Sequence, residues 1–200
     1  PAMTKRLLIV AHAPSDNTRA LRDAVERGAL SETGIDVRVV APLQSGPEDV
    51  LAAQAVILGT TENLGYMSGA LKDFFDRSYN PLLEKTQGLP CALYIRAGSD
   101  GTGTRRGVET ILTGLRWRSV QEPLLCKGPW QPTFLGQCEE LGAAILPASI
   151  IPARPDKRVK ALRIVQPVLK RPIGLITWPQ RALSPAAARL AELCLNRSTP

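Results

Sequence analysis

The chain has 200 residues, 44% of them hydrophobic, and a formal net charge of +7. That suits one domain with a real core, alone or with an appendage. Four cysteines without a C-x-x-C pair, beside a single histidine, exclude a Cys/His zinc site, and no stretch approaches the ~18 apolar residues of a membrane span.

The charge is unevenly spread. Residues 1–150 carry 15 basic and 16 acidic side chains, net −1, whereas residues 151–200 carry 10 and 2, net +8. The basic character therefore belongs to the tail. Cys91, Cys126, Cys138 and Cys194 read as buried, reduced thiols of a cytoplasmic protein. Pro1-Ala2 ahead of Met3 reads as a cloning remnant and is set aside. The apolar run Leu7–Ala11 behind Lys5-Arg6 is too short for a signal peptide and reads as the first strand.

The loop His12–Thr18 follows, and a helix from Arg19 with Leu21, Ala24, Val25 and Ala29 (or Gly28) on one face. A strand, a small polar loop and a helix N-terminus make a phosphate site, because free N–H groups and the helix dipole point at the anion. Ser15, Asn17 and Thr18 add side-chain donors; Ser15 or Asp16 also suits the N-cap. His12 is either a ligand contact or a hydrogen-bonding spacer at the strand end. Ile35–Val40 alternates and is β-branched, which predicts a second strand, suited to an edge. Pro47–Ala53 predicts a turn or short helix, and Ala55–Leu58 a buried third strand. This βαβ rhythm predicts a parallel sheet with helices on both faces.

A polar loop, Thr60–Tyr66, leaves that third strand, and a helix follows in which Met67, Ala70, Leu71, Phe74, Phe75 and Ser78 share a face. Lys72/Asp76 and Asp73/Arg77 form i,i+4 pairs on the other face. Pro90–Ala97 predicts a fourth strand running into the Gly-rich loop Gly98–Gly107, with a helix marked by Val108, Ile111, Leu112 and Leu115. Ser119–Cys126 predicts a fifth strand broken by Pro123, and Cys138, Leu141, Ala144 and Ile145 one face of a last helix ending near Pro147.

Three of these stretches resemble the flavodoxin-like FMN proteins, in particular the NAD(P)H-dependent flavin and quinone reductases. Gly59–Arg77 is similar to their second flavin-contacting loop and helix, sharing Gly59, Gly65, Met67, Ser68, Leu71, Lys72, Phe74, Asp76 and Arg77. It departs at Thr61, where Pro is usual, and at Leu64, where an aromatic is usual. His12–Arg19 resembles their phosphate loop through His12, Asn17, Thr18 and Arg19, with Ser15 for Thr, Ala13 without the usual hydroxyl and Asp16 for Gly. A carboxylate there repels a phosphate unless it points outward as a cap. Gly98, Ser99 and Gly103 fall in a stretch similar to the third FMN-contacting loop.

The resemblance implies an α/β flavodoxin-like doubly wound sheet of five parallel strands in order 2-1-3-4-5 over residues 3–150, with the ligand beside strand 1. Residues 151–200 form a basic, proline-rich extension; its end, from Arg171 to Leu193, resembles the carboxyl end of LysR-type effector domains. The implied activity is an FMN-dependent oxidoreductase that passes reducing equivalents from NAD(P)H to a quinone, a flavin or another small acceptor, the flavin carrying the chemistry. The implied cofactor contacts are His12, Ser15, Asn17, Thr18, Thr60, Thr61, Glu62, Asn63, Leu64, Gly65, Tyr66, Gly98, Ser99 and Gly103, with no catalytic side chain and no metal. Glu62 either lies near the ring's N1/O2 edge, where it disfavours an anionic reduced flavin, or points to solvent. The implied partners are a small-molecule acceptor and, as an open choice, a second copy of the chain, not a membrane or nucleic acid. The alternative is an electron carrier or interaction module of the same fold, with or without FMN.

Overall fold

The computed structural model describes residues 5–31 and 34–150. In chain order the elements are β1 (Lys5–Ala11), α1 (Asp16–Ala29), β2 (Ile35–Val40), a 3-10 turn (Pro42–Gln44), α2 (Pro47–Leu51), β3 (Ala55–Asn63), β4 (Tyr66–Met67), α3 (Gly69–Leu82), β5 (Pro90–Ala97), α4 (Thr102–Gly114), β6 (Arg118–Ser119), β7 (Leu124–Lys127) and α5 (Thr133–Ile150). The basic, proline-rich extension 151–200 lies outside the described residues.

The sheet runs β2-β1-β3-β5, and its fifth position is shared by β6 and β7, both paired parallel with β5. This is the predicted order 2-1-3-4-5, with the fifth strand broken around Pro123 as expected. Proline supplies no ladder donor, so the strand resumes only at Leu124. β1 and β5 are buried almost throughout, which a parallel strand covered on both faces requires, while β2 alternates half-buried and exposed at the edge.

Side chains alternate between two cores. On one face Leu7, Ile9, Ile57 and Tyr94 pack under α1 and α5; on the other Leu8, Val10, Leu58 and Ile95 pack under α3 and α4. Predicted helix faces hold for Leu21, Ala24, Val25, Gly28 and Ala29 in α1 and for Leu71, Phe74, Phe75 and Ser78 in α3. In α5, Cys138, Leu141 and Ile145 are buried, but Ala144 is exposed and Gly142 takes the inner position. Cys91, Cys126 and Cys138 are free thiols in these cores, and burial pushes the Cys91 thiol up to about 11. Cys91 therefore stays a thiol, not a thiolate, at neutral pH.

Three boundaries differ from the sequence expectation. α1 starts at Asp16, since Ser15 caps it and exchanges reciprocal bonds with Thr18. α4 starts at Thr102 instead of near Val108, so Gly103 and Gly107 are helical. The third strand continues to Asn63 and folds back as a hairpin with β4, so Met67 is a strand residue and α3 starts after Ser68. The predicted Lys72–Asp76 and Arg77–Asp73 pairs form on α3. The Arg77 guanidinium also donates to the Ser45 and Pro42 carbonyls at 2.9 Å each, tying α3 to the turn before α2.

α1 and α5 approach closely because small residues line the seam. A Cβ on Gly142 would lie 2.1 Å from the Val25 carbonyl oxygen, a backbone atom that cannot rotate away. We therefore expect Gly142→Ala to lower stability by about 1–3 kcal/mol in chemical denaturation. Gly136→Ala, on the same helix with nothing within 4 Å, is expected to raise it by up to about 1 kcal/mol through helix propensity. Equal effects at the two positions would contradict this seam.

Candidate functional site

Three loops leave the carboxyl ends of β1, β3 and β5. β1 lies between β2 and β3, so the chain's connections leave it in opposite directions, which makes this the switch point at which open α/β sheets form a ligand crevice. The His12 N–H donates to the Gly59 carbonyl at 2.9 Å, which holds the first loop against the second.

The first loop presents the start of α1. The Asp16 and Asn17 amides lie in the first turn and have no intrahelical acceptor by position. The Ser15 and Thr18 amides are already used, each by the other residue's hydroxyl. Asp16 points outward: its side chain is 96% exposed and its carboxylate accepts from the Arg19 guanidinium. It therefore serves the outward role that leaves the loop open to an anion. Burial lowers the His12 pKa below the usual 6.5, so the ring is neutral at pH 7.

The second loop is a tight hairpin. Leu64 and Gly65 have φ of 53° and 75°, the pair of left-handed residues that a two-residue type I′ turn uses. The Thr60 hydroxyl is buried and committed, since it donates to the Thr61 carbonyl and accepts from the Ser68 amide. The Thr61 hydroxyl donates to the Asn63 side-chain oxygen at 2.7 Å. Leu64 is fully exposed at the tip. The Tyr66 ring packs against Gly107 of α4 and, with Lys72, Arg106 and Ile111, lines a surface groove of about 320 Å³.

Glu62 joins the second loop to the third. Its two carboxylate oxygens accept from the Ser99 amide at 2.7 Å and the Gly101 amide at 3.0 Å. Of the two readings of Glu62, the one that points it to solvent does not hold: the carboxylate is engaged by the facing loop, which turns two N–H groups toward it. Gly101 takes φ 72° as the N-cap of α4, and Asp100 accepts from the Thr102 amide, which lowers the Asp100 pKa. Gly103 sits so near the hairpin that a Cβ there would lie 2.1 Å from the Gly65 carbonyl oxygen. Gly98, exposed, opens the loop.

Of the expected contacts, His12, Ser15, Asn17 and Thr18 share the first loop, and Glu62 and Ser99 meet between the other two. The Thr60 hydroxyl is spent inside the protein instead, and the Tyr66 ring lies at the surface against Gly107 of α4. Arg96 went unnoticed in the sequence. Its guanidinium donates to the Ala97, Cys126 and Gly128 carbonyls at 2.6, 3.0 and 2.7 Å, closing the ends of β5 and β7 behind the third loop. A charged residue just before the end of an apolar strand was its signal. Among the described residues no three metal-ligating side chains come together, and no helix is long and apolar enough to cross a membrane.

The strand order and helix layers make the fold flavodoxin-like, in line with solved structures. The archaeal flavodoxin structure superposes with a TM-score of 0.63 at 20% identity, covering 72% of this chain and 99% of that one. A WrbA-like flavodoxin protein from Agrobacterium tumefaciens gives 0.56 at 16% identity, covering 74% and 98%. By sequence, the chain is 29% identical over 110 residues to a flavodoxin from Aquifex aeolicus, 55% of this chain and 60% of that protein. It is 32% identical over 90 residues to the uncharacterised HTH-type transcriptional regulator YbhD of Escherichia coli, 40% of this chain and 28% of that protein. The chain thus spans less than two thirds of the length of either relative. No protein-family model matches it.

Two outcomes test this geometry. His12 is the sole histidine, so its ring protons are unambiguous in NMR; they should titrate with a midpoint below 6.5. Because the folded state resists protonation, stability then falls as the pH drops through that midpoint. Leu64→Asn should raise stability by about 0.5–1 kcal/mol in urea, since Asn tolerates the left-handed region that a branched apolar side chain resists.

Proposed function

We propose that the protein is an FMN-dependent oxidoreductase that takes reducing equivalents from NAD(P)H and passes them to a small acceptor such as a quinone or free flavin. The convergence of three strand-end loops on one crevice, with an unobstructed helix N-terminus at one end, carries the proposal. The flavodoxin-like fold and the similarity to a flavodoxin support FMN as the ligand.

The residues fit the cofactor's chemistry. The Asp16 and Asn17 amides, the Asn17 side chain and the Ser15 hydroxyl are the donors a phosphate monoester needs, and Asp16 keeps its charge away from them. The hairpin Glu62–Met67 and the loop 98–101, which meet through the Ser99 and Gly101 amides, are the segments that would hold the cofactor's ring. Bound FMN supplies the two-electron redox chemistry. The chain's own work would be to hold the phosphate with the first loop and to orient the ring with backbone donors. No side chain is asked to act as an acid or base.

The near-neutral balance of residues 1–150 supports an oxidoreductase over an electron carrier, since carriers of this fold are strongly acidic. The basic segment 151–200 lies outside the described residues, and nothing in this proposal uses it.

A charge placed in the phosphate loop separates the two ends of the crevice. Asn17→Asp should weaken FMN binding at least about tenfold, as two like charges at contact distance imply. Riboflavin, which lacks the phosphate, should bind it as it binds the wild type. Quenching of flavin fluorescence measures both. No binding of FMN by the wild type at millimolar concentration would sink the proposal, and bleaching of the bound flavin by NADH or NADPH in stopped flow separates a reductase from a carrier.

A further inference from the structure

The Glu62 carboxylate crosses from the end of β3 to the loop after β5 and takes two N–H groups at once, at 2.7 and 3.0 Å. Ser99 and Gly101 are one residue apart, so their amides form a small concave donor pair of the type that holds an anion or a carbonyl oxygen. This pair belongs to the loop at the carboxyl end of β5, across from the hairpin. Resting on the FMN proposal above, we propose that Glu62 is a positioning residue: its carboxylate and a carbonyl of the flavin's pyrimidine edge are alternative acceptors for the same two amides, so flavin entry and release of Glu62 are one event.

The geometry favours competition over sharing. Each amide carries one hydrogen, and each already has a short, charge-assisted bond. The hairpin cannot shift sideways to make room, because the Gly65 carbonyl rests on Gly103 and the Tyr66 ring on Gly107. The side chain of Glu62 is the movable part. It is half-buried, and rotation about its own bonds carries the carboxylate to water without disturbing the Thr60–Ser68 anchor at the base of the hairpin. The ligand class this selects is a planar heterocycle with a neutral carbonyl acceptor strong enough to replace a carboxylate.

Three full-length proteins test it: wild type, Glu62→Ala and Glu62→Gln. Without flavin, the Ser99 and Gly101 amides should exchange with solvent slowly in the wild type and at least about tenfold faster in Glu62→Ala, as loss of a charged acceptor implies. With flavin, Glu62→Ala should bind FMN several-fold more tightly than the wild type, and riboflavin should gain the same factor, because the change lies at the ring end. Glu62→Gln, whose single side-chain carbonyl oxygen is a weaker acceptor, should fall between them, and circular dichroism should show all three folded. Unchanged amide exchange overturns the proposal. So does FMN binding to Glu62→Ala that is equal or weaker while the wild type still binds, and that result leaves the proposed function standing. Failure of all three to bind FMN overturns both.

Discussion

The contact between the Gly65 carbonyl and Gly103 decides the shape of the site. Any side chain at position 103 would collide with that oxygen, so the hairpin tip rests directly on the first turn of α4. Once that contact is made, the rest of the second loop has little freedom. The turn must be tight, which sets the left-handed pair Leu64–Gly65. Tyr66 falls against α4 and Met67 into the core, and Ser68 is delivered to cap α3. Glu62, two residues before the turn, is left within reach of the facing amides. A seven-residue polar stretch that reads as an open loop is thereby a braced element.

Much of the fold is legible in the sequence because the strands that matter are of two unmistakable kinds. Leu7–Ala11 and Pro90–Ala97 are near-continuous apolar runs, and only a covered parallel strand needs that. Ile35–Val40 alternates, as an edge strand does. What the sequence conceals is where polar and glycine-rich stretches stop being loops. Asp16, Asn17 and Thr18 are turn formers and equally good first-turn residues, so the start of α1 is ambiguous until the Ser15–Thr18 bonds form. Gly103 and Gly107 lower helix propensity locally, yet α4 includes both, because packing against the hairpin requires their lack of a side chain.

The site was legible to the level of segments and not of side chains. The loops at 12–18, 60–66 and 98–103 do leave the same end of the sheet. Within them, polarity is a poor guide to which groups face a ligand, since a hydroxyl or carboxylate is equally able to satisfy the chain itself. Thr60 looks like a donor for a cofactor and is spent on Ser68. Asp16 looks like an obstacle and is turned out by Arg19. Arg96 looks incidental within a strand and closes three carbonyls at the sheet's end. Each outcome depends on a partner far away in sequence or on one side-chain rotation, and neither leaves a periodic trace.

The distribution of charge bears on the choice between a carrier and an enzyme. A carrier recognises a large partner through a one-signed surface field, which reaches about 8 Å at physiological salt and speeds encounter. The same field, if negative, repels a nicotinamide dinucleotide, itself an anion, from the crevice. Arg19 is ion-paired with Asp16 and Arg105 with Glu109 and Glu122, whereas Arg96 donates to neutral carbonyls and keeps its charge. Ion pairing of this kind weakens the field that Arg19 and Arg105 project. Selectivity then falls to short-range donors, the first-turn amides at one end and the Ser99–Gly101 pair at the other. On the proposed function, those donors would act on a ligand already in the crevice, at a range where a surface field no longer discriminates.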